Sequence, residues 1–149
     1  MKSDPKIIDQ RIKAFQEACR KMGAKATHQR TEIFRAVISS DEHPDAQGVY
    51  RAVKEKIPEI SLDTVYRNLN LLADKGFIQI AGTSGDSLRF DGNMGHHHHF
   101  TCIRCGLIRD FVSAQSQDWE VPEEACTFGH PLSLQVEVKG ICLSCQKKR

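Results

Sequence analysis

The sequence contains no long apolar run: among its 149 residues, hydrophobic side chains never continue for the roughly 18 positions that a membrane-spanning helix requires. A membrane is therefore not an expected partner. The opening stretch, MKSDPKIIDQRIKAF, also lacks the apolar centre of a secretory signal, and we expect the chain to remain in the cytoplasm. A large charge excess is missing too. The net charge is +2, which by itself is too small to indicate nucleic-acid binding.

The positive charge that is present is unevenly distributed. Residues 1–35 contain nine Lys and Arg against four Asp and Glu, whereas residues 92–149 contain six of each kind. A basic face in the first segment is compatible with DNA binding, although helix surfaces also carry such charge for solubility. The length allows one ordinary domain or two small ones, and 40% hydrophobic residues are enough for a core.

Four helical patterns and a β-hairpin fill the first part of the chain. Apolar residues recur at helical spacing over residues 6–22, and Thr27, Asp45 and Ser61 are expected to cap the next three helices. Two strand patterns follow, FIQIAG and SLRFD, with the turn-forming TSGD between them. This order is typical of a winged helix-turn-helix, in which the helix before the hairpin lies in the DNA major groove.

The character of the sequence changes after Asp91. GNMG, residues 92–95, is a short hinge; HHFTC, LIRDFV and LSLQVEVKGIC then have strand patterns, and a helix is predicted over residues 114–127. The predicted fold class is α+β, with a winged-helix DNA-binding domain in residues 1–91 and a small α/β domain in residues 96–149. A domain of about 55 residues usually needs a metal or a partner subunit for stability.

Two Cys-x-x-Cys pairs lie in this small domain. Four thiolates arranged as two such pairs can surround one zinc ion as a closed, structural site, and the alternatives are two redox-active dithiols or coincidence. Cys19 and Cys126 stand apart from the pairs and are interpreted as buried apolar filler. The four candidate zinc ligands are Cys102, Cys105, Cys142 and Cys145.

Four consecutive histidines precede the first pair. Because side chains alternate along a strand, His97 and His99 should share one face, and His96 and His98 the other. Imidazole and carboxylate ligands together suit iron(II), manganese(II) or zinc. The alternative is a solvated histidine strand that binds metals adventitiously.

Several segments together resemble the ferric uptake regulator family of bacterial metal- and peroxide-responsive repressors, from residue 6 to residue 145. They are THQRTEIFRAV, HPDAQGVYRAV, SLDTVYRNLNLLADKGFI, LRFD, HHHHFTCIRCGLIRDF and GICLSC. The resemblance implies a homodimer that is a regulator and not an enzyme. Its second domain would serve for dimerisation, and its DNA operator would be an A/T-rich inverted repeat.

The resemblance also implies roles for individual residues. The four paired cysteines become the structural zinc site, and a regulatory iron(II) or manganese(II) ion acts as co-repressor by fixing the two domains in one relative pose. The implied regulatory ligands are His43, Asp91, His97, His99 and Asp110. The remaining face of the histidine strand, His96 with His98, is available for an accessory metal.

DNA contacts are implied in two places. Tyr66 and Arg67 match the base- and backbone-contacting positions of the family, and Thr64 and Asn68 lie nearby in the same helix. Lys25 matches a family lysine that enters an A/T-rich minor groove. Core packing of Tyr66 and a merely solvated Lys25 are the alternatives.

The branch of the family is indicated by Asp110. Peroxide-responsive members typically have Asp at this position, whereas iron-responsive members typically have Glu, although the Tyr66-Arg67 pair is usual in iron-type regulators. The peroxide interpretation predicts iron-catalysed oxidation of His43 or His97 to 2-oxo-histidine, followed by loss of the metal and release of DNA. An iron-responsive regulator is the alternative, and a zinc hydrolase is a remote one because no HExxH-type motif is present.

Overall fold

Four helices and a two-stranded antiparallel sheet form the first of two units into which the chain divides between Met94 and Gly95. The structure is a computed structural model that describes residues 4–84 and 87–148. The elements of the first unit are α1 (Pro5–Lys21), α2 (His28–Ile38), α3 (Ala46–Lys54), α4 (Leu62–Asp74), β1 (Gln79–Ser84) and β2 (Ser87–Asp91). The predicted turn TSGD extends over residues 85 and 86, which lie outside the described residues.

The predicted caps of this unit are confirmed. The side chain of Thr27 accepts a hydrogen bond from the Arg30 N–H at 3.2 Å, and Asp45 accepts from the Gly48 N–H at 2.8 Å. Ser61 does the same for the N–H of Thr64 at 3.1 Å, so α4 begins where the sequence predicts. Each cap satisfies a backbone donor that has no partner within its own helix.

An apolar core holds the four helices and the hairpin together. Phe15 of α1 stacks on Phe34 of α2 with ring centroids 4.4 Å apart, and Phe77 meets Phe15 edge-on at 4.9 Å. Val65 and Leu69 of α4 are fully buried against this group. Packing of these side chains fixes the exposed face of α4 on a rigid base.

The second unit contains a three-stranded sheet with the strand order β4-β3-β5. Strand β3 pairs antiparallel with β4 and parallel with β5. The elements of this unit are β3 (His98–Cys102), β4 (Ile108–Phe111), a 3-10 helix (Ala114–Asp118), α5 (Glu123–Cys126), β5 (Glu137–Gly140) and α6 (Leu143–Lys147).

Two predictions for this unit are wrong in extent. The helix expected over residues 114–127 is replaced by the 3-10 helix, an extended stretch and the four-residue α5. Trp119 is already extended, and Pro122 removes a backbone donor and disfavours helical geometry in the residue before it. The strand expected over LSLQVEVKGIC is restricted to the four residues of β5.

None of the helices in the described ranges combines the length and apolar character needed to cross a membrane.

Candidate functional site

Four cysteine sulfurs converge in the second unit. Cys102 ends β3, Cys105 follows in a turn, Cys142 caps α6 and Cys145 lies within that helix. All four Sγ atoms lie within 4.8 Å of one another, and those of Cys105 and Cys142 are 3.7 Å apart. Zinc–sulfur bonds of about 2.3 Å in a tetrahedron place the sulfurs about 3.8 Å apart, so the cluster fits one zinc ion.

Backbone donors prepare this cluster for a cation. The N–H of Cys142 donates to Sγ of Cys102 at 3.3 Å. Backbone N–H groups of Cys105 and Cys142 lower the pKa of Cys102 to about 6, since they stabilise its thiolate. Thiol hydrogen bonds with Cys142 and Cys105 raise the pKa of Cys145 to about 12. The cluster therefore stabilises the thiolate of Cys102, and a bound cation would have to displace the proton of Cys145.

Close strand packing brings the second cysteine pair to the first. Gly140 of β5 pairs with Cys102 of β3, and Ile103 donates its N–H to the carbonyl of Gly140 at 2.9 Å. A Cβ atom at Gly140 would lie 2.9 Å from the ring of Phe100. Nothing in the local sequence marks this glycine, although only a residue without a side chain lets β5 place Cys142 beside the first pair.

Three of the predicted regulatory ligands converge elsewhere in the same unit. Nε2 of His97 lies 3.1 Å from Nε2 of His99, and Oδ1 of Asp110 lies 3.2 Å from His99 Nε2 and 3.7 Å from His97 Nε2. The antiparallel register explains this arrangement, because His99 of β3 stands directly opposite Asp110 of β4. Nδ1 of His97 lies 2.6 Å from the carbonyl of Gly95, which favours the tautomer whose Nε2 is free of a proton and able to bind a metal.

The other two histidines form a separate pair, as strand alternation predicts. The rings of His96 and His98 lie 5.0 Å apart, with His96 exposed and His98 buried beside Phe111 and Trp119. Nδ1 of His98 accepts a hydrogen bond from the Val136 N–H at 3.1 Å, which leaves only its Nε2 for an accessory metal. Burial, followed by the neighbouring histidines, lowers the pKa of His98, so the ring is neutral at neutral pH.

The first unit holds the two remaining predicted ligands. Nε2 of His43 lies 3.7 Å from Oδ2 of Asp91, and both side chains are almost completely buried. Oδ1 of Asp91 accepts a hydrogen bond from the Asn93 N–H at 2.8 Å. A neutral imidazole and a carboxylate at this distance can be ligands of one divalent ion.

The chain just after Asp91 is fixed to the helices of its unit. Gly92 lies so close to α2 that a Cβ atom would come within 2.8 Å of the Ile38 Cα. Arg11 of α1 donates to the carbonyl of Gly92, and its guanidinium is 5.9 Å above the ring of Phe34. Burial lowers the pKa of Arg11, and the carboxylate of Asp91 partly offsets that effect. Arg11 therefore supplies positive charge beside Asp91.

Side chains on α4 present a polar surface to solvent. Tyr66 is 46% exposed, and Arg67 pairs with Asp63 at 3.1 Å between two highly exposed side chains. Such an exposed pair contributes little to stability, so Arg67 can exchange it for a phosphate or a base edge. Lys25 is likewise exposed, in the loop that precedes α2.

Thr64 and Asn68 are already engaged within the unit. The hydroxyl of Thr64 lies 2.9 Å from that of Ser61, and the Asn68 side chain donates to the Thr64 carbonyl at 2.9 Å. Asn68 also accepts a hydrogen bond from Nε of Arg30 at 3.0 Å, while Arg30 donates to the carbonyl of Lys25. Arg30, which no local sequence signal marks, thus ties the Lys25 loop to α4.

The chain is similar in sequence to one family of known proteins. Residues 21–129 match the model of the Ferric uptake regulator family. The chain is 33% identical over 148 residues to the peroxide-responsive repressor PerR of Staphylococcus epidermidis, covering 99% of both chains. It is also 33% identical over 141 residues to PerR of Staphylococcus aureus, covering 95% of each.

Solved structures agree on the fold. The ferric uptake regulator of Helicobacter pylori superimposes with a TM-score of 0.75 at 24% identity, covering 93% of each chain. A structure of PerR from Streptococcus pyogenes, described for peroxide sensing and gene regulation, is 34% identical with a TM-score of 0.52, covering 91% of this chain and 92% of that one.

Proposed function

Because this chain belongs to the ferric uptake regulator family, we propose that it is a dimeric, metal-dependent repressor that binds operator DNA and is inactivated by hydrogen peroxide. The single observation that carries the proposal is the convergence of His97, His99 and Asp110, with two imidazole Nε2 atoms beside one carboxylate. The members of this family are regulators and not enzymes, which argues against the alternative of a zinc hydrolase.

We assign the two metals to the two kinds of cluster. The spacing of the four paired cysteines and the lowered pKa of Cys102 suit a structural zinc ion. The imidazoles and carboxylates suit iron(II) or manganese(II), which prefer harder ligands than thiolates. The proposed regulatory ligands are divided between the units: the first contributes His43 and Asp91, and the second His97, His99 and Asp110.

This division supplies the regulatory device. A single ion that engages ligands from both units would select one relative pose of residues 1–91 and 96–149 about the hinge at residues 92–95. In a homodimer, that pose sets the separation of the two α4 helices, which must match the half-sites of an inverted repeat. The metal is then a co-repressor, because binding it and binding the operator favour the same pose.

DNA recognition is assigned to the exposed surface of the first unit. Tyr66 and Arg67 project from α4 and are free to contact base edges and phosphates, and Lys25 is placed to enter a minor groove. Thr64 and Asn68 support that surface by their hydrogen bonds within the unit and make at most additional contacts. A repressor of this kind works in the cytoplasm, where operator DNA is accessible.

Peroxide sensitivity is assigned to the regulatory histidines. Iron(II) held by these residues would supply the one-electron chemistry that splits hydrogen peroxide into hydroxide and a hydroxyl radical beside its ligands. We propose His43 or His97 as the target: the radical would add to the imidazole, and iron(III) would take back one electron as a proton leaves. The ring would then carry one added oxygen as 2-oxo-histidine, and the other peroxide oxygen would leave as water. An oxidised imidazole is a poorer donor, so the units lose their common ion and the operator is released. Asp110 and the 33% identity to peroxide-responsive repressors support this branch.

Operator binding by the zinc-loaded dimer tests the proposal. Binding is measured with iron(II) and with manganese(II), before and after micromolar peroxide, and the peptides that contain His43 and His97 are then weighed. We expect peroxide to abolish binding only in the iron form, with the mass of one added oxygen on either peptide. Binding that survives peroxide in the iron form would identify an iron-responsive regulator instead.

A further inference from the structure

The backbone of His43 is unusual. Its φ of 53° lies in the left-handed region, and no other residue except glycine does so in the described part of the chain. This conformation is unfavourable for a residue with a side chain, and it persists only where the surrounding structure enforces it. Contacts within the first unit must therefore stabilise the backbone of His43 in this conformation.

Arg89 of β2 donates two hydrogen bonds to the backbone around His43. Its Nε donates to the carbonyl of His43, and its Nη2 donates to the carbonyl of Glu42. These two carbonyls belong to the peptide units on either side of the His43 Cα, and their orientations define the φ and ψ angles of that residue. One planar guanidinium therefore donates a hydrogen bond to each of the two peptides, in a fixed geometry that an ammonium group does not have.

The same strand completes the arrangement. The N–H of Phe90 donates to the carbonyl of Pro44 at 2.9 Å, so β2 continues the contact one residue further along. Asp91 follows two residues after Arg89 and thus points to the same side of the strand. Its carboxylate lies 3.7 Å from Nε2 of His43. Arg89 thus contacts the backbone of one proposed ligand, and Asp91 faces its imidazole.

We propose that Arg89 is a positioning residue for the regulatory metal: its guanidinium holds His43 in the left-handed conformation that directs the imidazole towards Asp91. This inference rests on the proposed function, in which His43 and Asp91 are metal ligands. It adds a determinant of metal affinity that touches neither the ion nor the ligand side chains.

Manganese(II) binding to the full-length, zinc-loaded dimer tests this role. Free manganese(II) is followed by its electron paramagnetic resonance signal for the wild type, Arg89→Gln and Arg89→Lys. Arg20→Gln serves as the matched control, because Arg20 is an exposed arginine of α1. We expect both Arg89 variants to bind manganese(II) about 10–100-fold more weakly, as is usual when a residue that orients a ligand is lost. The lysine variant keeps the positive charge but cannot donate the paired hydrogen bonds of the guanidinium.

A second measurement separates positioning from a general loss of structure. At saturating manganese(II), both variants should bind the operator as tightly as the wild type, because only the metal-loading step is impaired. Operator binding that stays weak at saturation would overturn positioning in favour of a folding role. Unchanged manganese(II) affinity in both variants would also overturn it. If the wild type itself does not bind manganese(II), the proposed function fails and the inference falls with it.

Discussion

The unit that ends at Met94 buries aliphatic and aromatic side chains from all four helices and the hairpin, whereas the unit that begins at Gly95 buries mainly polar and metal-binding groups. His97, His98, His99 and Thr101 are all buried in the second unit, and Ile108 is the largest apolar side chain buried beside them. Phe128 and Leu132 are each 92% exposed. Burial of polar groups stabilises a fold only when those groups have partners.

This difference assigns the two units different sources of stability. The first can fold by the hydrophobic effect, because its core is continuous and well packed. The second has too little buried apolar surface for that and depends on metal ligation and on a partner subunit. In the function proposed above, metal binding therefore contributes to folding of the second unit and acts as a signal to the first.

Replacing a zinc ligand should have the largest effect. We expect Cys102→Ser to abolish zinc retention and dimerisation, because structural zinc contributes about 10–16 kcal/mol, more than most small domains have in reserve. The helices of the first unit should persist. Zinc content, sedimentation and helical circular dichroism measure these three properties. The control is Cys126→Ser: the prediction that this cysteine is buried filler is wrong, and the variant removes an exposed thiol of the same unit. An intact dimer without zinc would refute the structural role.

Truncation of the apolar core should have a smaller and confined effect. Leu69 is fully buried on α4, and Leu69→Ala should lower the free energy of unfolding of the first unit by about 2–5 kcal/mol. Zinc content should not change, because no cysteine of the cluster depends on that core. Denaturant unfolding followed by circular dichroism gives the first quantity, with the exposed Asn70→Ala as control. If zinc were lost together with the helical signal of α4, the two units would not have separate sources of stability.

Loss of one regulatory ligand should separate signalling from folding within the second unit. His97→Gln should weaken manganese(II) binding by more than about 100-fold, beyond what a supporting residue causes, and should remove metal-dependent operator binding. Zinc content and dimerisation should remain, since the cysteine cluster does not include His97. His130→Gln, an exposed histidine of the same unit, is the control. Equal manganese(II) binding by both variants would contradict the assignment of His97.

Local sequence signals predicted the features that depend on near neighbours. The caps at Thr27, Asp45 and Ser61 and the sorting of the four histidines into two ring pairs follow from helical and strand periodicity. The helix predicted over residues 114–127 does not form as one element, because Pro122 interrupts the helical pattern.

Residues that act over long separations escaped sequence reasoning. Arg30 reaches Asn68 across 38 positions, Arg89 reaches His43 across 46, and Gly140 matters only because the ring of Phe100 lies against it. An arginine or a glycine can have many structural roles, and only the tertiary contacts show which role a particular one has. The residue types of the two clusters could be predicted, whereas the residues that contact them across long sequence separations could not.

Thiol reactivity should show the smallest effect, as a difference in rates between the two units. In the zinc-loaded protein, Ellman's reagent should modify the exposed Cys126 promptly, and the four clustered thiols should react only after a chelator is added. Cys19 should react only on unfolding, because it is buried in the first unit and burial raises its pKa, which lowers its thiolate fraction. The fast phase should disappear in Cys126→Ser. Prompt reaction of Cys19 would show that the apolar core opens readily, whereas prompt reaction of the cluster would show that no metal protects it. The rates therefore distinguish the thiol that only packs from the thiols that hold their unit together.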